Sequence, residues 1–238
     1  MIAAITGVGW VSTETMGSGR RHQVLQSKDG ELPKIVSRMV FGEVSPRFGR
    51  LDEYSKLGLA AIAFALKDAK QDQLNEKRTA GIIVSSIYGC LATDMEYFEQ
   101  VIANGGNLAS PNLFALTLPN IFLGEAAIRF GLTGPGFAVN GAEPGGTEGL
   151  KLALESMFLD ENPMMIVGTS DPGCPPLFPY HVEMAAGALF FVLEKHPPDA
   201  SLSYGGLDMT LRGDVLFNGV EIQSLASLFQ GCLPHLIR

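Results

Sequence analysis

The sequence is poor in cysteine and in clustered positive charge, and both shortages exclude classes of protein. Its 238 residues include three cysteines, Cys90, Cys174 and Cys232, which are widely spaced and form no CxxC pair. This argues against a disulfide framework and against a zinc site. No basic run is longer than the pair at 20–21, and 25 acidic residues outnumber 17 basic ones, which argues against nucleic-acid binding.

Long apolar runs are also missing. The longest, at 57–66 and 184–193, fall well short of the roughly 20 residues that span a bilayer, so no membrane span is predicted. Residues 1–10 are apolar but have no basic flank and no small-residue cleavage site, which indicates a buried strand and not a signal peptide. We therefore expect a cytoplasmic protein.

The composition that remains is typical of a folded chain. It is 46% hydrophobic and 18% charged, which excludes disorder and leaves apolar surface that a partner would cover. We predict a single domain over 1–238. Within it, the polar stretch 12–46 is predicted to be a surface excursion, and 201–238 a C-terminal extension with a strand near 204–211 and a helix near 221–229.

Apolar periodicity predicts an α/β fold with a mixed, mainly parallel five-stranded sheet and helices on its faces. Helices are expected over 52–70 and 93–103, and a third follows the strand at 137–140, because its apolar residues from Leu150 to Phe158 fall on one face. The strands are expected over 2–7, 80–85, 137–140, 164–168 and 187–193.

Several segments, taken in order, resemble the β-ketoacyl synthase branch of the thiolase superfamily. They are ITGVGWVS at 5–12, LDEYSKL at 51–57, LPN at 118–120, GLTGP at 131–135 and GALFFVLE at 187–194. The resemblance implies a thiolase-like N-terminal half with a divergent C-terminal extension. Two departures stand out: Glu53 replaces the family's usual Arg, and Ala-Ala-Gly at 185–187 replaces its Gly-Glu-Gly.

The family's catalytic cysteine has no counterpart in the matching stretch, NGAEPGG at 140–146. Glu143 stands at its position. A helix N-terminus activates a thiol by favouring the thiolate, whereas a carboxylate there is a weak nucleophile toward thioesters. Glu143 is then either a helix-start acid before Pro144 or a structural replacement, as the amide residue is in chain-length-factor subunits.

The resemblance also implies that the family's two catalytic histidines belong to a second half of similar fold, which this sequence does not contain. No histidine here replaces them by motif. His22, His196 and His235 are predicted to lie on the surface, while His181 is placed so that it could approach the site. We therefore predict that the chain does not catalyse condensation.

The site residues predicted around Glu143 are Ala142, Pro144, Gly146, Cys90 and His181. For Cys90 the simpler interpretation is a small buried residue. No metal and no cofactor are predicted. In the family the nucleophile strand pairs with its copy across a twofold axis, which assigns a dimer interface to Phe137, Ala138, Val139 and Asn140.

The function that the resemblance implies is a non-condensing binding or scaffolding partner in fatty-acid or polyketide-type biosynthesis. Its partners would be a second copy, a ketosynthase or an acyl carrier protein. One alternative is an acyl-thioester enzyme, a hydrolase, decarboxylase or acyltransferase, that uses Glu143. A helix N-terminus should depress the pKa of that carboxyl, which argues against a base poised near neutrality. Another alternative is an unrelated small-molecule binder on the same fold.

Overall fold

The computed structural model describes residues 1–20, 25–26, 31–74, 76–103, 105–141, 145–175 and 186–233. Within these residues the strands are β1 (Ala3–Ser12), β2 (Thr15–Ser18), β3 (Leu25–Gln26), β4 (Ala80–Ser86), β5 (Gly136–Asn140), β6 (Met164–Asp171), β7 (Gly187–Glu194), β8 (Gly205–Met209), β9 (Val215–Phe217) and β10 (Val220–Glu221). The helices are α1 (Ser37–Phe41), α2 (Pro46–Gly49), α3 (Glu53–Asp68), α4 (Leu91–Ala103), α5 (Pro111–Leu116), α6 (Ile121–Phe130), α7 (Thr147–Phe158) and α8 (Leu225–Cys232).

Five strands form the centre of one mixed sheet in the order β1-β7-β6-β4-β5. β4 pairs in parallel with both β5 and β6. β7 is antiparallel to its neighbours β6 and β1, so β1, β4, β5 and β6 all run in the same direction. The predicted α/β fold with a mixed, mainly parallel sheet is confirmed. The sheet continues past β1 through β8, β9 and β10, which the five-strand prediction did not include.

Helix α3 lies in direct backbone contact with β1. Its start is fixed by Asp52, whose side chain accepts a hydrogen bond from the Ser55 N–H at 3.0 Å. A Cβ atom at Gly9 of β1 would lie 2.3 Å from the Ala61 carbonyl oxygen and 2.2 Å from the Ala65 nitrogen. Only glycine fits at that point, so helix and strand approach more closely than side chains would otherwise permit.

The two faces of the sheet carry separate hydrophobic cores. On one face α3 and α6 pack against β4, β6 and β7, with Tyr54, Phe122 and Phe190 at the centre of this core. On the other face α7 and α8 contribute Leu150, Met157 and Leu228. Each face therefore has its own helical layer, as an α/β sheet requires.

Part of the segment predicted as a surface excursion, 12–46, is regular and buried. β2 pairs antiparallel with β1, and Met16, Gly17 and Ser18 are all buried. The short helix α1 follows before α2. The composition of Thr15–Ser18 is polar and glycine-containing, and the burial arises because the strand pairs with β1 and lies against α3.

The C-terminal extension is more structured than the sequence predicts. β8 corresponds to the strand expected near 204–211, and a β9–β10 hairpin follows it. The helix expected near 221–229 begins later, at Leu225, because Ser224 caps it by accepting the Ser227 N–H at 3.1 Å.

Candidate functional site

The candidate site lies at the carboxyl ends of three neighbouring strands, β4, β5 and β6. Ser86 of β4 is in register with Asn140 of β5, and β6 ends at Asp171. In open α/β sheets, ligands bind outside the carboxyl ends of parallel strands. The connection from β5 to α7, which contains most of the site residues predicted from the sequence, also starts at these strand ends.

Asp171 holds the loop that follows β4. Its side chain is almost fully buried and accepts hydrogen bonds from the Ser86 hydroxyl at 2.8 Å, the Tyr88 N–H at 2.8 Å and the Gly89 N–H at 3.0 Å. The Ile87 N–H donates to it as well, at 3.1 Å. Burial raises the pKa of Asp171, and these four donors oppose that rise. A single carboxyl group thereby organises three consecutive loop residues.

Cys90 ends this loop and is buried. Its Sγ lies 3.3 Å from the Thr117 carbonyl oxygen and 3.9 Å from the Asp94 carboxylate. Burial, followed by the negative charges of Asp94 and Asp52, raises the pKa of the Cys90 thiol to about 12. The thiol is therefore protonated near neutral pH, and the thiolate that nucleophilic chemistry requires is disfavoured.

The start of α7 is tied to β4 through Ser85. The Ser85 hydroxyl accepts the Gly149 N–H at 3.1 Å and donates to the Gly146 carbonyl oxygen at 3.4 Å. Gly146 has a left-handed backbone, with φ of 69°, and precedes the helix. Glu148 follows in the first turn, where negative charge favours the helix dipole.

The residues predicted closest to the chemistry are Ala142, Glu143, Pro144 and His181. All four lie outside the described residues, so their roles stay predictions. Gly146 and Cys90 are described and lie on the two connections at these strand ends, β5–α7 and β4–α4 respectively.

The histidine that can be located is far from the site. His196 is exposed and follows Glu194, which pairs with Met164 at the beginning of β6, whereas Asp171 is at the end of that strand. It therefore lies on the surface, as expected, near the opposite ends of the strands from Asp171. His22 and His235 lie outside the described residues.

Two of the family-like segments meet at the start of α3. The Tyr54 hydroxyl donates to the Pro119 carbonyl oxygen at 3.0 Å, and its ring packs edge-on against Phe122 at 5.2 Å. Thr93 of α4 donates to the Asp52 carboxylate at 2.7 Å. The segments 51–57 and 118–120 thus contact each other, and the first of them also contacts α4, which begins directly after Cys90.

The sequence profile described as "Beta-ketoacyl synthase, N-terminal domain" matches residues 36–187, which contain this whole arrangement. The chain belongs to this family. It is 26% identical to the chloroplastic 3-oxoacyl-[acyl-carrier-protein] synthase I of Arabidopsis thaliana, over 73% of this chain and 41% of that protein. The chain thus spans well under half the length of this curated relative.

Solved ketosynthase structures share the fold. The ishigamide ketosynthase/chain length factor superimposes with a TM-score of 0.63 and 18% identity, covering 81% of this chain and 58% of the other. A complex of a ketosynthase with its chain length factor from Xenorhabdus doucetiae gives 0.57 and 14% identity, covering 83% and 81%. In the second case the matched chain is therefore similar in length to this one.

The strand assigned to the dimer interface, β5, lies at an open edge of the sheet. Among the strands that the structure describes, it pairs with β4 alone and ends the strand order. Phe137 and Asn140 are exposed, whereas Ala138 and Val139 are half-buried and pack against the two cores. No described residue pairs with the outer side of β5, which is the kind of edge that another strand can join.

Asp171 and Ser85 were not predicted as site residues. The available signal was the polar residue at the end of each buried strand, since Ser85-Ser86 and Ser170-Asp171 both follow apolar runs. Across the described parts of the chain, no group of three or more acidic, histidine or cysteine side chains is placed to hold a metal ion. No described helix is long and apolar enough to cross a membrane.

Proposed function

We propose that the chain is a non-condensing ketosynthase-like protein that binds or scaffolds partners in fatty-acid or polyketide-type biosynthesis. The observation that carries this proposal is the open edge of β5. Strands of this kind are templates for pairing with another chain, and natural proteins usually cover them. The family resemblance assigns a twofold pairing to this same strand.

The loss of condensing chemistry is supported by the residues around the nucleophile position. Glu143 replaces the cysteine in sequence, and the buried Cys90 thiol, with its pKa raised to about 12, does not replace it. His196 follows the end of β7, at the opposite ends of the strands from Asp171. Neither member of the family's cysteine–histidine chemistry is therefore supplied at the candidate site by the described residues.

The partner we propose is a ketosynthase or a second copy of this chain, paired through β5, with an acyl carrier protein as a further partner. The description of the Xenorhabdus doucetiae complex names a ketosynthase together with its chain length factor. That complex contains a chain of similar length to this one, which supports the heterodimer.

The pairing can be tested by size-exclusion chromatography with light scattering, on the chain alone and with a candidate ketosynthase. A Phe137→Lys variant places a charge on the exposed face of β5 and leaves the core intact. Val139→Asp is a harsher change, because Val139 also packs on the α7 core. Leu211→Asp, at a fully exposed position, is the control.

We expect Phe137→Lys to abolish the complex and Leu211→Asp to leave it unchanged. Val139→Asp should give monomer or aggregate. If Phe137→Lys and Val139→Asp both elute as the wild type does, the interface is not at β5.

The absence of condensation has a separate test. Neither the wild-type chain nor Glu143→Cys should condense acyl and malonyl thioesters, because no described histidine lies near the candidate site. Appreciable condensation by either protein alone would contradict the proposal.

A further inference from the structure

Helix α4 is amphipathic, but its apolar face is not part of a core. At about 3.6 residues per turn, its large apolar residues fall on one side of the helix. This side, here named the α4 stripe, consists of Leu91, Met95, Phe98 and Ile102. Phe98 and Ile102 are 62% and 63% exposed. Of the residues that the structure describes, none from α4 belongs to either hydrophobic core, so the stripe is an uncovered apolar face.

The opposite side of α4 holds the helix on the rest of the chain. Thr93 is buried and bonds to Asp52, and the Tyr97 ring lies 5.4 Å from the Phe114 ring of α5. A helix of 13 residues is marginal in water, and in proteins such helices are stabilised mainly by burial of their apolar face. The exposed stripe therefore indicates that a further surface packs on α4.

Acidic side chains border the α4 stripe on both sides. By the same helical geometry, Asp94 lies on one side of the stripe, and Glu99 and Glu96 lie on the other. Glu96 and Glu99 are exposed, and neither forms an ion pair with a described residue. The sequence has no lysine or arginine between Arg78 and Arg129. The segment that contains α4 and α5 is therefore acidic without a compensating positive charge of its own.

Helix α4 belongs to the β5 end of the molecule. It begins just after the loop that follows β4, the strand that pairs with β5. Its neighbour α5 leads into α6, which contacts β5, since a Cβ at Gly136 would lie 3.9 Å from the Leu123 Cβ. The α4 stripe thus lies on the same side of the sheet order as the edge proposed for pairing.

The charges distinguish between the two partners proposed above. If two copies of this chain met through their α4 stripes, the acidic borders of one copy would face those of the other, and like charges brought together oppose binding. A surface with an apolar centre and a rim of lysine or arginine would bury the stripe and pair with its acidic borders. The stripe therefore favours a different protein over a second copy.

We infer that the α4 stripe is a docking surface for a protein whose contact surface is apolar with a basic rim, and that this protein is a ketosynthase and not a second copy of this chain. The inference rests on the proposed function for the kind of partner, and on the stripe for the choice between the two partners. It adds a second contact region to the β5 edge.

The apolar part is tested by measuring the dissociation constant of the chain with a full-length ketosynthase from the same organism. Phe98→Ala/Ile102→Ala removes the exposed part of the stripe and retains helix propensity. It should weaken the complex on the order of ten-fold or more, as loss of buried aromatic anchors does. The matched control Leu211→Ala/Val220→Ala removes two exposed apolar side chains near the other end of the sheet order and should leave the dissociation constant unchanged.

The acidic borders are tested with Glu96→Lys/Glu99→Lys. This variant should also weaken the complex on the order of ten-fold. The wild-type complex should weaken as sodium chloride is raised from about 0.05 M to about 0.5 M, because salt screens opposite charges, and the variant complex should weaken less. Glu14→Lys/Glu155→Lys makes the same change in net charge at two exposed sites outside α4 and should bind as the wild type does.

The outcomes separate this inference from the proposed pairing through β5. Circular dichroism first checks that each variant is folded. If both α4 variants bind the ketosynthase as the wild type does while Phe137→Lys does not, the inference is overturned and the β5 pairing stands. The reverse pattern supports the α4 stripe and contradicts the β5 pairing. A homodimer that Phe98→Ala/Ile102→Ala weakens, with no ketosynthase complex, would show that a second copy occupies the stripe and would overturn the inference.

Discussion

Replacing Asp171 by alanine should destabilise the chain more than any other single change at the candidate site. The substitution removes the acceptor for the Ser86 hydroxyl and for three consecutive backbone N–H groups, all within 3.1 Å of the carboxylate. A buried donor left without a partner costs roughly 1–3 kcal/mol. These costs do not sum, because the loop relaxes and admits water, and removing a buried carboxylate recovers some desolvation energy. We therefore expect a loss of about 3–5 kcal/mol in the free energy of unfolding.

Urea denaturation of three variants tests this reasoning. Asp171→Asn keeps one acceptor oxygen and should fall between the alanine variant and the wild type. Ser86→Ala removes one donor and leaves the carboxylate three others, so it should cost about 0.5–1.5 kcal/mol. If Asp171→Ala unfolds within about 0.5 kcal/mol of the wild type, as surface substitutions do, then the carboxylate does not hold the loop.

Two further predictions follow from groups with raised pKa values. Burial raises the pKa of Asp94, Asp171 and Glu194, so the folded chain binds these protons at higher pH than the unfolded chain does. Their contribution to the free energy of unfolding should therefore increase as the pH falls from neutral into the range where these raised carboxyl groups take up protons. Asp171→Asn should weaken that increase in denaturation curves, and a decrease in the wild type would contradict the assignment. Cys90, with its pKa raised to about 12, should resist thiol reagents near neutral pH in the folded chain and should react once urea unfolds it. Rapid labelling of the native chain at Cys90, measured by peptide mapping, would contradict this prediction.

The elements that are predicted correctly are those whose sequence signal lies within the element or at its ends. Helix α3 combines an apolar stripe with a capping aspartate, and β4 and β6 are apolar runs bounded by turns. β2 was missed because Thr-Met-Gly-Ser has no such signal, and its burial depends on pairing with β1. The contact between Leu225 and Gly145 joins residues 80 positions apart, which no local pattern encodes.

The candidate site likewise combines features that a local sequence signal predicts with features that depend on long-range contacts. The family resemblance located β5 and the β5–α7 connection, because these are contiguous stretches of sequence. The role of Asp171 was not predictable, since it depends on four donors contributed by a loop more than 80 residues earlier. Cys90 is buried, which fits its simpler interpretation as a small buried residue.

The close approach of α3 to β1 also bears on how the Gly7–Gly9 pair is to be understood. A Gly-x-Gly at the end of an N-terminal strand is often taken as the beginning of a phosphate-binding loop, where the absence of side chains admits a nucleotide. Here the backbone of α3 occupies the space beside both glycines, since a Cβ at Gly7 would lie 2.2 Å from the Ala65 carbonyl oxygen. The space that two missing side chains leave is filled by α3 itself, so this motif serves packing and leaves no room for a phosphate.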